Sequence, residues 1–385
     1  MQIIRLKKGC EKRLARGHKW VFSNELAEPL KTFSPGWACI YSYKNAFLGT
    51  GYINPHSLIA IRMFSGKEEA PDRDFFSRRI AEASERKKKL YPGSNTCRII
   101  FGESDGLPGL IIDRYGEVYV CQANTRCMSE NQDTIKDCII ELFSPVAVVF
   151  RNDSRTRLLE GLSQEKHIAY GNLPERVSVS MNGLDFDVDV LNGQKTGLFL
   201  DQRDNREALR KYVSGGSVLD FFCYDGAWAL VAKSAGAKSV TGIDSSPFAL
   251  ERAKNNASVN NLECEFIAAE ALDVLKSLNR NSQDMIILDP PAFAKSKKDL
   301  PDAMRGYIDI NRRALLALKP GGILASCSCS YNMSVEDFHD AIIKASLSAG
   351  KELRLLESRG QALDHPVLLA MPETAYLKCL ILQAV

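Results

Sequence analysis

The chain has 385 residues, 45% hydrophobic and 25% charged, with 26 glycines and 15 prolines, a balance that excludes a fibrous, collagen-like or mainly disordered protein. Its net charge is only +3, yet residues 1–90 hold 18 Lys and Arg against 9 Asp and Glu (+9), and the remainder holds 32 against 38 (−6). A basic front on an acidic body argues against an evenly charged surface and predicts a module that docks on a polyanion.

Residues 3–6, 38–43, 47–52 and 58–64 read as short strands, with Ser34-Pro35-Gly36 and Asn54-Pro55 as turns, a spacing that predicts a small β barrel. Basic residues interleave with aromatics in Arg16-Gly-His-Lys-Trp-Val-Phe22, so Arg16 and Lys19 are candidate contacts to a nucleic acid. Residues 72–90 read as a basic helix marked by Phe75, Phe76, Ile80 and Leu90, and Arg86-Lys-Lys-Lys89 complements the dipole at its end. A boundary is expected near Tyr91-Pro92-Gly93. Strand-like runs at 98–101, 109–112, 118–122 and 147–151, with a helix around 131–143, predict a small α+β unit. From about Val177, runs at 217–222, 239–244, 264–268, 285–289 and 323–329 alternate with helices, which means βαβ units and a parallel sheet covered on both faces. The expected organisation is a barrel over 1–70, an α+β domain over 71–176 and a doubly wound, Rossmann-like α/β domain over 177–385.

No apolar run reaches the ~18–20 residues of a membrane helix. The start, Met1-Gln-Ile-Ile-Arg-Leu-Lys-Lys8, is too short an apolar stretch for a secretory leader. The 11 cysteines form no CxxC pair, so neither a disulfide framework nor a zinc ribbon is expected. A cytoplasmic protein without a metal site fits best.

In doubly wound sheets a ligand binds beyond the carboxyl ends of the strands. The strand ending Asp220-Phe-Phe-Cys-Tyr-Asp-Gly226 runs into a turn before a helix at 227–234, and Asp244 ends the next strand. A carboxylate so placed suits two ribose hydroxyls. A dinucleotide needs a G-x-G-x-x-G turn for its pyrophosphate, whereas this turn has only Gly226, with Phe222, Cys223 and Tyr224 where phosphate needs room. S-adenosylmethionine (SAM) has no phosphate, so it is the better fit, with Asp220, Phe222, Tyr224, Gly226 and Asp244 as candidate contacts.

Asp289-Pro-Pro-Ala-Phe293 follows a strand that two prolines must stop, fixing a rigid corner. There Phe293 is expected to stack on a base while Asp289 hydrogen-bonds its edge. Lys295, Lys297 and Lys298 follow and suit phosphates of the same polynucleotide. In Ser326-Cys-Ser-Cys-Ser330, Cys327 and Cys329 point to one face of a strand, and Cys329 lies nearer its carboxyl end. Cytosine C5 is a poor nucleophile; a thiolate adding at C6 makes C5 reactive towards a sulfonium methyl, which gives Cys329 a reason to be there. Asp289 near N3 and the exocyclic amine would stabilise the charge that develops. No residue is identified as the base that removes the C5 proton.

Together these residues resemble the RlmI-type class I SAM-dependent cytosine-C5 methyltransferases of large-subunit ribosomal RNA. The resemblance spans the chain, through Gly9-Cys-Glu-Lys-Arg-Leu14, His18-Lys-Trp-Val-Phe-Ser23, Gly193-Gln-Lys-Thr-Gly-Leu-Phe-Leu-Asp-Gln-Arg203, Asp289–Lys298, Arg305-Gly-Tyr-Ile-Asp-Ile-Asn311, Ser328-Cys-Ser330 and Asp364-His-Pro366. It implies an N-terminal PUA domain that binds RNA, Cys329 as nucleophile, Asp289 in the base-contacting motif and Asp244 on the ribose. It further implies Glu270 near the adenine and Lys195 and Thr196 in a cofactor-proximal hairpin, and it leaves a homodimer open. Two departures stand out. The first turn reads Tyr224-Asp-Gly-Ala227 where the family commonly has Tyr-Thr-Gly-Gly, which adds a carboxylate near the methionine end. Pro291 is followed by Ala292, so the two-cysteine mechanism of the wider group does not carry over. Two alternatives stay open: methylation of an exocyclic amine of guanine or adenine, which needs no cysteine, and a non-catalytic RNA-binding protein.

Overall fold

The computed structural model describes residues 1–69, 71–294 and 296–385. The chain forms two compact units, one of residues 1–179, 188–198 and 363–374, the other of residues 180–187, 199–362 and 375–385.

The first unit carries two five-stranded sheets. One has the order Gln2–Arg5, Gly36–Tyr41, Phe47–Ile53, Ile61–Ser65, Trp20–Val21, over a core that includes Ile4, Leu6, Val21, Ile40, Ile53 and Ile61. The strand expected from residue 58 starts only at Ile61. Asn54 holds the chain in a turn through the bonds His56 N to Asn54 Oδ1 (3.1 Å) and Ser57 N to Asn54 O (3.1 Å). The helix Arg73–Leu90 starts where Asp72 caps it, Oδ1 accepting from Phe75 N at 2.9 Å. Its face of Phe75, Phe76 and Ile80 packs into one core with Tyr52 and Phe64 of the first sheet and Ile100, Leu110 and Phe150 of the second. That core crosses the boundary expected at residue 70.

The second sheet has the order Glu165–Gly171, Ala147–Asn152, Val118–Ala123, Leu110–Tyr115, Thr96–Phe101. The pair Val118–Ala123 and Ala147–Asn152 is parallel, with helix Gln132–Phe143 as its crossover. Glu165–Gly171 is an edge strand with almost every residue exposed, so no alternation marks it in the sequence.

The second unit is built on a seven-stranded sheet, in the order Glu265–Ala268, Ser239–Asp244, Ser217–Phe221, Gln283–Leu288, Leu318–Ser328, Lys378–Ala384, Leu353–Arg359. Its first five strands are parallel, as βαβ alternation requires. Lys378–Ala384 alone runs antiparallel, to both of its neighbours, so the sheet is mixed and not wholly parallel as expected. The chain leaves Leu353–Arg359 without a crossover helix and returns between that strand and Leu318–Ser328. From Ser217–Phe221 the chain first adds strands on one side, then crosses to Gln283–Leu288 on the other. The carboxyl ends of these two strands are the switch point where a ligand is expected.

Candidate active site

Asp220 lies in the strand Ser217–Phe221 and Asp289 immediately follows Gln283–Leu288, so the two carboxylates flank the switch point. The turn after Asp220 is strained: Phe222 (φ 63°) and Tyr224 (φ 49°) occupy the left-handed region that L side chains avoid. Such strain costs about 1–3 kcal/mol per residue and collects at functional sites. Tyr224 N donates to Asp244 Oδ2 (3.0 Å) and Ser246 N to Oδ1 (2.9 Å), so each oxygen of Asp244 keeps a lone pair for a hydroxyl. Gly226 (φ 79°) lies in the left-handed region that favours glycine, and a Cβ there would lie 3.1 Å from both Ala253 Cβ and the Phe266 ring, so those neighbours would have to give way. Glu270 is exposed at the start of helix Ala271–Ser277.

Asp289 is gripped at both oxygens. Gln202 Nε2 donates to Oδ1 (2.9 Å) and Trp228 Nε1 to Oδ2 (3.0 Å). Burial pushes its pKa up, against the Trp228 bond that lowers it. Burial likewise lifts Asp220 well above the carboxylate range, with the charge of Asp289 adding to the effect. Asp225 is raised by burial and lowered by Arg206 and Arg252. Arg206 is 2% exposed; burial lowers its pKa, and Asp225, Asp289 and Asp201 raise it.

Buried atoms within this cluster have no hydrogen-bond partner: Asp220 Oδ1, Asp225 Oδ2, and Nε and Nη1 of Arg206. An unpaired buried polar atom costs about 1–3 kcal/mol, more when charged. The amino-acid end of SAM carries an ammonium and a carboxylate on one carbon, and these orphaned acceptors and donors match the two charges. The donor and acceptor set therefore fits such a group. Gln202, Arg206 and Trp228 were not singled out from the sequence, although Gln202 sits inside the motif Gly193–Arg203.

Strand Leu318–Ser328 separates its thiols. Cys327 is fully buried opposite Cys379, and burial raises its pKa far above the thiol range. Cys329 lies one residue past the last ladder pair, partly exposed, with Sγ 3.7 Å from Pro290 O. Thiol and proline corner are thus neighbours. The serines beside Cys329 brace the backbone. Ser330 Oγ accepts from Ala294 N (3.2 Å) and meets Tyr307 OH (3.1 Å), and Ser328 Oγ accepts from Ser330 N (3.4 Å). Burial pushes the Tyr307 phenol up to about 12, so it is neutral at physiological pH.

The ring of Phe293 packs on Tyr307, with centroids 4.7 Å apart, and is only partly exposed. Lys297 and Lys298 are exposed in a short 3₁₀ turn, and Lys295 lies outside the described residues. The remaining candidates belong to the first unit. Lys195 is exposed there, whereas the Thr196 side chain is buried with its hydroxyl held by Asp113 (2.5 Å) and Tyr115 (3.0 Å). That side chain has a structural job in the first unit. Arg16 is exposed, and Lys19 is half-buried, its pKa lowered by burial and by the neighbouring charge of Arg79.

Among the described residues, no group of three or more His, Cys, Asp or Glu is placed to hold a metal ion, and no helix is long and apolar enough to cross a membrane. Residues 161–357 match the family described as S-adenosylmethionine-dependent methyltransferase, and residues 4–66 match the PUA-like domain. The chain is 40% identical over 389 residues to the ribosomal RNA large subunit methyltransferase I of Shewanella denitrificans, with 98% of both chains covered. It is 39% identical over 387 residues to the protein of that name from Pseudoalteromonas atlantica, again covering 98% of both. In fold it is similar to a candidate SAM-dependent methyltransferase from Streptococcus mutans (TM-score 0.85, 22% identity, 100% of both chains). A candidate methyltransferase solved with S-adenosylhomocysteine is similar as well (TM-score 0.86, 21% identity, 100% of both chains). The buried charged cluster at the switch point and these likenesses agree: the chain belongs to the ribosomal RNA large subunit methyltransferase I family, a PUA-like domain joined to a SAM-dependent methyltransferase domain, with SAM as its cofactor.

Proposed function

We propose that the chain methylates C5 of a cytosine in large-subunit ribosomal RNA, with Cys329 as the nucleophile. The observation that carries this reading is the partly exposed Cys329 thiol beside the Asp289-Pro-Pro corner, while its neighbour Cys327 is sealed in the core. SAM supplies the methyl group. The Cys329 thiolate adds to C6, and the electron pair of the C5–C6 double bond, held as an enamine, forms the new C5–methyl bond. The C5 proton then leaves to a base, and the C6–sulfur bond breaks to restore the ring and the thiolate. Asp289, whose two oxygens accept from Gln202 and Trp228, is assigned to the base edge. With its pKa raised by burial, it can share a proton with N3 as charge builds there.

Asp244 is assigned to the ribose, Asp220, Asp225 and Arg206 to the methionine end, and Glu270 to the adenine. Phe293 anchors the corner and offers the base only the part of its ring left exposed. Arg16 and Lys19, with Lys297 and Lys298, are assigned to RNA phosphates. The 11 free thiols fit a reducing cytoplasm as the place of action.

RNA carrying 5-fluorocytidine at the target has no C5 proton to lose, so it should leave a denaturation-resistant adduct that peptide mapping places at Cys329. Cys329→Ala should form no adduct and lose methyl transfer while keeping SAM binding by calorimetry. Turnover that survives Cys329→Ala would move the reading to an exocyclic amine.

A further inference from the structure

Lys378 opens the strand Lys378–Ala384 in register with Ser328, one residue before Cys329. It is 6% exposed, and its Nζ donates to the carbonyls of Ser330 (2.7 Å), Met333 (2.8 Å) and Tyr376 (2.9 Å). A neutral amine has two hydrogens to donate, so three accepting carbonyls call for the ammonium. Burial pulls the pKa of this lysine down to about 8, and the charge of the Cys329 thiolate pushes it back up. That coupling is reciprocal: a thiolate that favours the ammonium is itself favoured by it.

Two of the carbonyls belong to the turn that follows Cys329 directly. The opposite side of the same turn is fixed by Ser330 Oγ, bonded to Ala294 N and Tyr307 OH, and by Asn332 Nδ2 on Ala294 O (3.5 Å). Lys378 therefore clamps the chain behind the thiol while the proline corner and helix Leu300–Ala317 clamp it in front. Among the described residues, the titratable groups on the elements packed here include Tyr307 from that helix, Asp289 from the corner, Cys327 on the same strand, and Cys379 and Lys378 on the next. Of these, Lys378 carries the positive charge.

We infer that Lys378 is a positioning residue for Cys329, a buried amine that in its protonated form holds the turn behind the thiol and favours its ionised form. This rests on the reading of Cys329 as nucleophile. It goes beyond that reading by assigning the group that activates the thiol, whose proton leaves to solvent.

The test is the pH profile of Cys329 alkylation by iodoacetamide, resolved by peptide mass spectrometry on the full chain. Lys378→Met and Lys378→Gln should raise the midpoint by about one pH unit, which is about tenfold in thiolate at a pH below it, and Lys378→Arg should stay near the wild type. Methyl transfer should lose about tenfold in kcat in the two neutral variants with KM for SAM unchanged. A folded neutral variant with the wild-type midpoint would overturn the inference. If neither neutral variant folds, an arginine variant whose midpoint rises by a full unit would overturn it. The titration does not depend on turnover, so a Cys329→Ala enzyme that still methylates would refute the proposed reaction by a separate route.

Discussion

The two units treat their most deeply buried charges differently. In the first, these charges close on each other. Arg98 holds Asp113 with two bonds of 2.7 Å, and Lys87 meets Asp105 at 3.1 Å. In the second, around the switch point, Asp220, Asp225 and Arg206 each keep buried atoms with no partner. A saturated ion pair defines a fold, because removing either member strands the other. Unsaturated charge gathered beside a strained turn defines a binding site, since only a ligand completes it.

Substitutions can break this contrast. The largest effect is expected from Arg98→Met, which leaves Asp113 buried and short of its partner. It should lose about 3–5 kcal/mol in urea unfolding. Arg206→Met should cost the apo-protein less than Arg98→Met does, because two of its donors have no partner to lose, although Asp225 and Asp289 give up a facing positive charge. It should weaken SAM by about 1.5–3 kcal/mol, or ten- to a hundredfold by calorimetry. If Arg206→Met destabilises as Arg98→Met does and leaves SAM affinity unchanged, the contrast fails.

The basic front is best probed by point substitutions. Tyr52 and Phe64 of the first sheet share a core with Phe75 and Ile100, so deleting that sheet would open the core as well as remove charge. Lys19→Met should weaken RNA binding evenly across sequences and reduce the slope of log K against log salt by about 1. An unchanged slope would place RNA elsewhere.

The smallest effect is a pH dependence at Glu357. Burial would raise its pKa, but Lys211, Tyr212 and Arg359 outweigh it and hold the carboxyl at about 2. Its contribution to stability is complete above the ordinary value of 4.5 and is lost as the pH falls through about 2. Glu357→Gln should therefore lower the neutral plateau slightly and flatten the acid limb, since the stability it removes is the part that acid would have removed.

Local features of the fold were legible in the sequence. The strand Ser239–Asp244 and the helix Ala227–Ser234 lie where apolar patterning and flanking turns put them, and Asp72 marks its helix start. Elements whose identity depends on distant chain were not. Glu165–Gly171 is a strand because Ala147–Asn152 offers it an edge, although its own residues are exposed. Lys378–Ala384 reverses the sheet only because Leu318–Ser328 awaits a partner. The site divides in the same manner. Asp244 and Asp289 sit at strand ends that hydrophobic runs announce. Gln202 and Trp228 reach Asp289 from 87 and 61 residues away, and no spacing rule connects them.

The common core under the first sheet and helix Arg73–Leu90 also bears on engineering. Transplanting residues 1–66 onto a foreign enzyme would carry away half of an interior and leave the rings of Tyr52 and Phe64 without the neighbours that keep them dry. Chimeras cut instead after the second sheet would move that interior whole, and such hybrids should express and melt cooperatively where the shorter graft aggregates.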